Sequence, residues 1–354
     1  MKKIMVTGGA GFVGSSLALR LKADHAGCEV IAFDNLKRRG SELALPRLRQ
    51  GGVSFIHGDV RCPEDLEAIG ACDLLVDCSA EPSVHSGYGG GSGYVINTNL
   101  MGTVNCLEHA RKGGSTVIFV STSRVYPIAA LRALPLEVQG DRLVMEAETA
   151  GPGWSDQGIS EDFPLAGARS LYGTTKLASE LLLQEYAALH GLRTLTYRCG
   201  VLAGPWQMGK VDQGFMVLWM ARHLYGGALS YMGFGGHGHQ VRDVLHVDDL
   251  YDLIALQLRD LERWSGSLFN VGGGAANAVS LRELTALCER TCRQRLSIAC
   301  QPDTRDGDIP YYVTDHRRVS AATGWKPRRS LDHIVGDIHR WLVDHRASLE
   351  AVLR

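Results

Sequence analysis

The sequence lacks an excess of charge of either sign and contains no long apolar run. Its 37 Lys and Arg residues nearly balance its 38 Asp and Glu residues, which leaves a formal net charge of −1. Without a basic excess the chain has little to neutralise a nucleic-acid backbone or an acidic membrane. Its longest apolar runs, such as 215–221, are far shorter than the roughly 20 residues that a membrane-spanning helix needs. We therefore expect neither nucleic acid nor a membrane as a partner.

Residue spacings typical of metal sites and of secretion signals are also missing. The nine cysteines form no C-x-x-C pair and the thirteen histidines form no H-E-x-x-H pattern, so the sequence predicts no metal site. Glycines at positions 8, 9, 11 and 14 interrupt the apolar stretch that a signal peptide would need after its basic start. The expected location is cytoplasmic.

Short apolar runs alternate with helical patterns through about the first 200 residues. Because parallel strands need crossover connections, this alternation predicts an α/β fold with a doubly wound parallel Rossmann sheet. Glycine-rich patches and amphipathic stretches in the second half predict a smaller C-terminal α/β lobe built from non-contiguous segments. The strand-type runs are 4–6, 30–33, 53–56, 74–76, 116–120 and 194–196, the helical stretches include 103–111, 176–190, 281–293 and 331–353, and the glycine patches are 233–238 and 272–274.

Three glycines follow the first predicted strand in the pattern G-x-x-G-x-x-G. Gly8, Gly11 and Gly14 stand between that strand and a predicted helix, and Asp34 ends the next strand 20 residues after Gly14. Glycines at such a turn let the backbone approach a pyrophosphate, and the helix N-terminus offers N–H donors to the phosphates. A carboxylate at Asp34 accepts the hydroxyls of an adenosine ribose and repels a 2′-phosphate, so the pattern predicts NAD as the cofactor.

Two alternatives to this NAD site stay open. A glycine-rich turn also occurs in α/β proteins that bind no dinucleotide. The basic run of Lys37, Arg38 and Arg39 could accept the 2′-phosphate of NADP. We favour NAD because Asp34 occupies the strand end itself.

Tyr172 and Lys176 place a phenol and an ammonium on one face of a predicted helix, because they are spaced i and i+4. A free phenol has a pKa of about 10, and a decrease of about 3 units corresponds to about 4 kcal/mol in favour of the phenolate. A lysine ammonium and an oxidised nicotinamide are two cations that can supply this stabilisation. The pair predicts a tyrosine base supported by a lysine.

Hydroxyl side chains follow the predicted strand at 116–120. Ser121 and Thr122 stand at its carboxyl end, where open α/β sheets bind their ligands. The alternative is a Ser/Thr cluster that merely ends a strand.

Over nearly its whole length the chain resembles the nucleotide-sugar epimerase and dehydratase branch of the extended short-chain dehydrogenase/reductase superfamily. The resemblance implies an enzyme that uses tightly bound NAD to epimerise a nucleotide-diphosphate hexose through a transient keto-sugar. The segments that carry it are 7–14, 33–36, 57–60, 99–103, 172–176, 242–249, 269–273 and 324–327.

Matching positions in that branch imply the roles of individual residues. Thr122 would hydrogen-bond the reacting sugar oxygen, and it would form the catalytic set with Tyr172 and Lys176. Tyr172, Lys176 and the glycine turn would also bind the cofactor. The other residues implied to bind the cofactor are Phe12, Val13, Asp34, Asn35, Asp59, Val60, Ser79, Ala80, Asn99 and Ser121.

The resemblance also implies a set of substrate-binding residues in the second half of the chain. Arg242 and Arg305 would clamp the substrate diphosphate, a task that suits the planar fork of a guanidinium. Asp308 would hold a ribose, and Gln213 would contact the substrate together with Thr122. For either arginine the alternative is an ordinary surface ion pair.

Three segments are similar to enzymes of the branch that invert C2 of CDP-sugars: 34–40, 212–214 and 238–246. They imply a CDP-sugar of the paratose or glucose type as the substrate. A C4 epimerase of UDP-sugars would use the same catalytic residues, and a net reductase stays open. Dehydratases of the branch usually carry Asp-Glu where this chain has Ser123 and Arg124, which argues against dehydration.

A NAD-sensing regulatory protein is the alternative that involves no enzyme, but such proteins tend to lose the tyrosine or the lysine, and both are present here.

The resemblance implies a NAD-binding Rossmann domain over 1–198, with 244–270 returning to it, and a nucleotide-sugar-binding lobe over 199–243 and 271–354. Relatives commonly pair through two helices, one after Asn99 and one carrying Tyr172. A homodimer is therefore expected.

Overall fold

Strands and helices alternate along the chain, which a computed structural model describes for residues 1–211 and 213–354. A π-helical turn over Asn97–Met101 joins the helix Ser92–Ile96 to the helix Gly102–Gly113. The strands are β1 (Lys3–Thr7), β2 (Glu29–Asp34), β3 (Ser54–His57), β4 (Leu74–Asp77), β5 (Thr116–Thr122), β6 (Leu136–Gln139), β7 (Arg142–Met145), β8 (Trp154–Ser155), β9 (Gly158–Ile159), β10 (Thr194–Cys199), β11 (Val201–Ala203), β12 (Leu229–Met232), β13 (Val241–His246), β14 (Ser267–Val271), β15 (Ala278–Ser280), β16 (Ile298–Gln301) and β17 (Tyr311–Tyr312). The α-helices are α1 (Phe12–Asp24), α2 (Leu45–Gln50), α3 (Pro63–Glu67), α4 (Ser92–Ile96), α5 (Gly102–Gly113), α6 (Ile128–Arg132), α7 (Leu171–His190), α8 (Phe215–Tyr225), α9 (Val247–Gln257), α10 (Leu261–Trp264), α11 (Leu281–Cys292), α12 (Arg317–Thr323), α13 (Leu331–Asp344) and α14 (Arg346–Leu353).

The largest sheet has seven strands in the order β3-β2-β1-β4-β5-β10-β14. The pairs β1 with β2, β1 with β4, β2 with β3 and β4 with β5 are all parallel. The chain extends the sheet from β1 first toward β3 and then, after returning, toward β14, so β1 and β4 flank the point where the order reverses. In open α/β sheets ligands bind outside the carboxyl ends of the strands at such a point. The predicted doubly wound parallel sheet is confirmed.

The strands of this sheet are apolar because helices cover both of its faces, as parallel sheets require. Ile4, Met5 and Val6 of β1 are completely buried, and all four residues of β4 are buried. Helices α5 and α7 pack against one another and against β5. The short apolar runs seen in the sequence therefore form the core of the sheet.

Contacts divide the chain into two compact units. Unit 2 contains a sheet in the order β11-β13-β15, with β17 paired to β13, and helices α8, α11 and α13, which pack together. The α/β content and the non-contiguous segments match the lobe that the sequence predicts, but unit 2 is slightly larger than unit 1 and not smaller, because it also contains Tyr126–Ser170. Unit 1 comprises Met1–Val125, Leu171–Arg198 and Leu250–Phe269, and unit 2 comprises Tyr126–Ser170, Cys199–Asp249 and Asn270–Arg354.

The segment 126–170 packs in unit 2, whereas the division expected from the sequence placed it within 1–198. The Tyr126 hydroxyl donates to Asn270 Oδ1 at 2.7 Å, and the Arg142 guanidinium donates twice to the Glu283 carboxylate, at 2.7 and 2.6 Å. These bonds explain why the segment packs with unit 2. Binding of the cofactor by one unit and of the substrate by the other stays a prediction.

The amphipathic stretches of the second half form helices with identifiable ends. Ser280 and Glu283 form a reciprocal capping box at the start of α11. The predicted stretch 331–353 is two helices, because His345 has φ −112° and ψ 20° and interrupts the regular backbone between α13 and α14. Among the described residues, none of the helices is both long and apolar enough to cross a membrane.

Candidate active site

The turn between β1 and α1 is closely packed against backbone on both sides. Gly8 has a left-handed φ of 61°, and its carbonyl accepts the Gly11 N–H at 3.0 Å. A Cβ on Gly8 would lie 2.8 Å from the Cys78 carbonyl oxygen, and one on Gly14 would lie 2.2 Å from the Gly8 carbonyl oxygen. Only glycine fits at these two positions, because the atoms that would clash belong to the main chain.

The start of α1 fits the pyrophosphate of a dinucleotide. The first N–H groups of a helix have no acceptor within the helix, and they carry the positive end of its dipole. Phe12 and Val13 begin α1, none of the described side chains caps it, and its first turn contains no acidic residue. The donors and the dipole of this 13-residue helix therefore suit an anion.

Asp34 ends β2 and lies beside the glycine turn. Its carboxylate accepts the Ala10 N–H at 3.1 Å and the Leu36 N–H at 2.7 Å. Burial raises the pKa of Asp34, and these backbone donors act in the opposite direction. The carboxylate is thus held by backbone donors at the end of β2, and its binding of the adenosine ribose stays a prediction.

Asn35, Asp59 and Val60 lie together beyond the end of β2 and β3. The Asn35 side-chain amide donates to Asp59 Oδ2 at 2.9 Å, and Arg61 pairs with the same carboxylate at 2.6 Å. Hydrogen bonds from the Arg61 guanidinium hold the pKa of Asp59 well below its usual range. Val60 is buried against Gly102, where an added Cβ would lie 2.7 Å from Val60 Cγ2.

Asp77, which the sequence analysis did not single out, ties together the ends of β1, β4 and α5. Its fully buried carboxylate accepts from the hydroxyls of Thr7 at 2.7 Å, Ser79 at 2.6 Å and Thr103 at 3.1 Å. These charge-assisted bonds fix Ser79, and the half-buried Ala80 follows it in the chain. The signal available in the sequence was an acidic residue that ends an apolar strand run.

Asn99 sits in the π-helical turn, a feature that often marks functional sites. Its side-chain oxygen accepts the Glu81 N–H at 2.7 Å, and its amide donates to the Thr175 hydroxyl at 3.2 Å. Thr175 precedes Lys176 on α7. Asn99 therefore connects the loop after β4 to the helix that carries the predicted base.

Tyr172 and Lys176 lie one turn apart at the start of α7. Tyr172 is half-buried, whereas Lys176 is 2% exposed. The Lys176 ammonium donates to the Val120 carbonyl of β5 at 3.0 Å and lies 4.4 Å from the centre of the Phe119 ring. The cation is thus fixed at the end of the strand, and β5 ends two residues later at the buried Thr122, whose hydroxyl oxygen accepts the Arg124 N–H at 3.1 Å.

The Ser121 hydroxyl bonds to a buried ion pair. It donates to Glu180 Oε1 at 2.5 Å, and Arg198 donates to Glu180 Oε2 at 2.7 Å. The side chains of Glu180 and Arg198 are only 1% and 5% exposed. Glu180 was missed from the sequence, although its position four residues after Lys176 places it on the same face of α7.

Two of the predicted substrate-binding residues, Arg305 and Asp308, lie in the segment between β16 and β17 of unit 2, and a third, Arg242 of β13, bonds to that segment. The Arg305 Nε donates to Asp308 Oδ2 at 3.1 Å, and the Arg242 guanidinium donates to the Ile309 carbonyl at 2.6 Å. Gln213 is half-buried, and its N–H donates to the Lys210 carbonyl at 3.0 Å. Asp212, part of the segment 212–214, lies outside the described residues.

Comparison with known proteins gives the family. The model of the NAD dependent epimerase/dehydratase family matches residues 4–272. The chain belongs to this family. It is 30% identical to the CDP-paratose 2-epimerase of Salmonella typhi, over 96% of this chain and 98% of that protein. It is 28% identical to a UDP-glucose 4-epimerase of Azospirillum brasilense, over 96% and 91%.

A solved structure gives the same result. The DesIV double mutant, a dTDP-glucose 4,6-dehydratase of Streptomyces venezuelae with NAD bound, is similar with a TM-score of 0.79 and 26% identity. The match covers 99% of each chain. The chain is therefore an enzyme of the NAD-dependent nucleotide-sugar epimerase and dehydratase type, and NAD is its cofactor, as the sequence predicted.

Replacing Gly14 by Ala tests the glycine turn of this NAD-dependent enzyme. The new methyl group would meet the Gly8 carbonyl at 2.2 Å, so the turn must open. We expect the variant to copurify without NAD and to bind added NAD about tenfold more weakly or worse, measured by calorimetry. Gly27→Ala is the control, since a Cβ there meets nothing within 4 Å. A Gly14 variant that retains NAD as the unchanged protein does would contradict this account of the turn.

Replacing Glu180 by Gln tests the buried ion pair. The substitution leaves the Arg198 guanidinium buried without its counter-charge, so we expect unfolding in urea to require about 3–5 kcal/mol less free energy. The control is Glu67→Gln, which removes an exposed partner of Lys112 and should leave the urea midpoint unchanged. Equal midpoints for the two variants would show that the Glu180 charge does not stabilise α7 against the sheet.

Proposed function

We propose that this enzyme inverts C2 of a CDP-linked hexose through a transient keto-sugar. Tyr172 acts as the general base that removes the proton of the sugar hydroxyl and later returns it. Bound NAD⁺ supplies the acceptor for the hydride that leaves the same carbon and then returns to its opposite face. The cofactor is not consumed.

The fixed charge of Lys176 is the observation that carries the proposed base. The ammonium lies one helical turn after Tyr172 and is held by the Val120 carbonyl and the Phe119 ring. A nearby positive charge favours the phenolate over the phenol, and in a buried setting it is screened little by solvent. Lys176 thus prepares Tyr172 to accept a proton.

Thr122 is proposed to hydrogen-bond the reacting oxygen. It ends β5, and its hydroxyl is already oriented by the Arg124 N–H at 3.1 Å. A donor held in place costs little reorganisation when charge develops on the sugar oxygen. In unit 2, Arg242, Arg305, Asp308 and Gln213 are proposed to bind the nucleotide diphosphate, since arginines pair bidentately with phosphate oxygens.

Similarity supports the choice of substrate and carbon. The identity of 30% with a CDP-paratose 2-epimerase extends over 96% of the chain. The segments 34–40, 212–214 and 238–246 resemble such enzymes, which are also called CDP-tyvelose 2-epimerases. Ser123 and Arg124 occupy the positions where dehydratases of the branch carry Asp-Glu, so we infer inversion without loss of water.

Incubation with CDP-, UDP- and GDP-hexoses in deuterated water, followed by NMR, tests the proposal. We expect a CDP-sugar of the paratose or glucose type to be inverted at C2 without uptake of solvent deuterium. A substrate deuterated at C2 should keep its label there, because the same hydride returns. Inversion of a UDP-sugar at C4 would instead establish the alternative epimerase. Solvent deuterium beside a carbonyl would indicate enolisation and contradict the hydride route.

Tyr172→Phe is the matched variant for this experiment, because it removes one hydroxyl and keeps the ring. It should lose turnover while retaining its NAD and its urea midpoint. Undiminished turnover would rule out Tyr172 as the base.

A homodimer is proposed from the exposed apolar side chains of two neighbouring helical segments. Leu181 and Leu189 of α7 are 55% and 72% exposed, and Ile96 and Met101 on the adjacent α4 and π-helical turn are also exposed. The two segments pack together in unit 1. Large exposed apolar patches mark interaction sites. Relatives commonly pair through the counterparts of α7 and of the helix after Asn99, which is α5, and the exposed side chains of α4 and the π-helical turn lie just before α5 in the chain.

Light scattering after size-exclusion chromatography tests the dimer. We expect twice the 38.4 kDa of one chain, and Leu181→Glu should lower the mass toward that of one chain because it places a charge in the apolar contact. Val343→Glu, which alters a similarly exposed residue of α13, is the control. A protein that elutes as a monomer before any substitution would overturn the proposal.

A further inference from the structure

The segment that carries Arg305 and Asp308 belongs to no helix or strand. It connects β16, which ends at Gln301, to β17, which begins at Tyr311. Backbone carbonyls outside regular structure need donors from elsewhere. The backbone N–H groups of Gly235 and Val241 reach the carbonyls of Pro302 and Pro310. Side chains from other parts of unit 2 supply the donors for carbonyls between them, so the shape of this loop depends on those side chains.

Arg132, the last residue of α6, supplies most of these donors. Its Nε donates to the Asp308 carbonyl at 2.9 Å, and its Nη2 donates to the Arg305 carbonyl at 2.9 Å and the Asp306 carbonyl at 3.1 Å. The same stretch is closed by the Asp308 N–H, which donates to the Arg305 carbonyl at 3.1 Å. One planar guanidinium therefore bonds three carbonyls of a single turn.

Two further bonds fix the ends of this loop. The Phe234 N–H donates to the Thr304 hydroxyl at 2.8 Å, and Arg242 donates to the Ile309 carbonyl at 2.6 Å. The turn over 305–308 lies between these points, and Arg132 holds it there. Without Arg132, each of these three carbonyls loses one donor, only the Asp308 N–H still bonds the Arg305 carbonyl, and the turn gains conformational freedom.

We propose that Arg132 is a positioning residue for the nucleotide diphosphate. It holds the turn that carries Arg305 and Asp308 in one conformation before the substrate binds. This inference rests on the proposed function, in which Arg305 and Asp308 contact the substrate. A site ordered in advance binds more tightly, because the ligand does not have to order it. Loss of Arg132 then weakens binding of the diphosphate and leaves the chemical step intact.

The geometry also distinguishes arginine from lysine at this position. An ammonium is a compact charge on a flexible stem and lacks the rigid fork that reaches several carbonyls at fixed angles. Arg132→Lys keeps the charge and loses part of the bonding pattern. Its effect separates hydrogen bonding of the turn from long-range attraction between a positive charge and the diphosphate.

Binding measurements on the NAD-loaded enzyme test the inference. CDP, UDP and dTDP are titrated into the unchanged protein by calorimetry, and the tightest of the three is used with the variants. We expect Arg132→Ala to raise the Kd of that nucleotide and the KM of the nucleotide sugar about tenfold, with kcat within about twofold. The Kd and KM of Arg132→Lys should fall between those of the unchanged protein and those of Arg132→Ala. The control is Arg346→Ala, which removes an exposed partner of Glu350 in unit 2 and should change neither constant.

The outcomes separate this inference from the proposed function. A Kd for Arg132→Ala within about twofold of the unchanged protein overturns the positioning role, even if the variant unfolds at a lower urea concentration. If Arg132→Lys matches the unchanged protein while Arg132→Ala does not, charge and not the bonded turn accounts for the effect, which also overturns it. If Arg305→Ala leaves the Kd unchanged, or none of the three nucleotides binds, the proposed diphosphate site itself fails.

Discussion

The attachment of α7 to the end of β5 is the contact on which the proposed chemistry depends. Lys176 bonds to the Val120 carbonyl, and Glu180, one turn further along α7, bonds to the Ser121 hydroxyl. Arg198 on β10 balances the Glu180 charge. The strand end cannot shift along the helix without breaking a bond to a buried ionised group, which costs several kcal/mol. Thr122 and Tyr172 are therefore carried by elements whose relative position is fixed.

Buried polar groups provide the scaffold elsewhere in unit 1 as well. The Asp77 carboxylate accepts hydrogen bonds from hydroxyl groups of β1, of α5 and of the loop that follows β4. The Asn99 side chain links the Glu81 backbone to Thr175. Burying such groups is unfavourable unless each finds partners, and here the donors are arranged at the point where the strand order reverses. The rigidity of this region comes from polar networks at its rim together with the apolar core of the sheet.

Apolar runs and glycine spacing in the sequence predicted those elements whose residues are close together in the chain. Six of the seven strands of the large sheet follow apolar runs that the sequence analysis identified, and β14 is not among those runs. The glycine turn follows from spacing and sterics. The association of 126–170 with unit 2 was not predicted, because β8 and β9 have two residues each and show no periodicity. The bonds from Arg132 to 305–308 also leave no local signal, since more than 170 residues separate the partners. Glu180 and Asp77 were visible only as charges in apolar surroundings.

The path of the chain through the two units has a consequence for how such proteins diversify. The polypeptide leaves unit 1 after Val125, Arg198 and Phe269, and it re-enters at Leu171 and Leu250. Neither unit is encoded by one continuous stretch of gene. A single crossover between two relatives therefore cannot exchange one unit without also exchanging part of the other, and any crossover inside 126–269 joins parts of both units from different parents. New specificities in this architecture are reached more readily by point substitutions or short loop exchanges than by shuffling of intact domains.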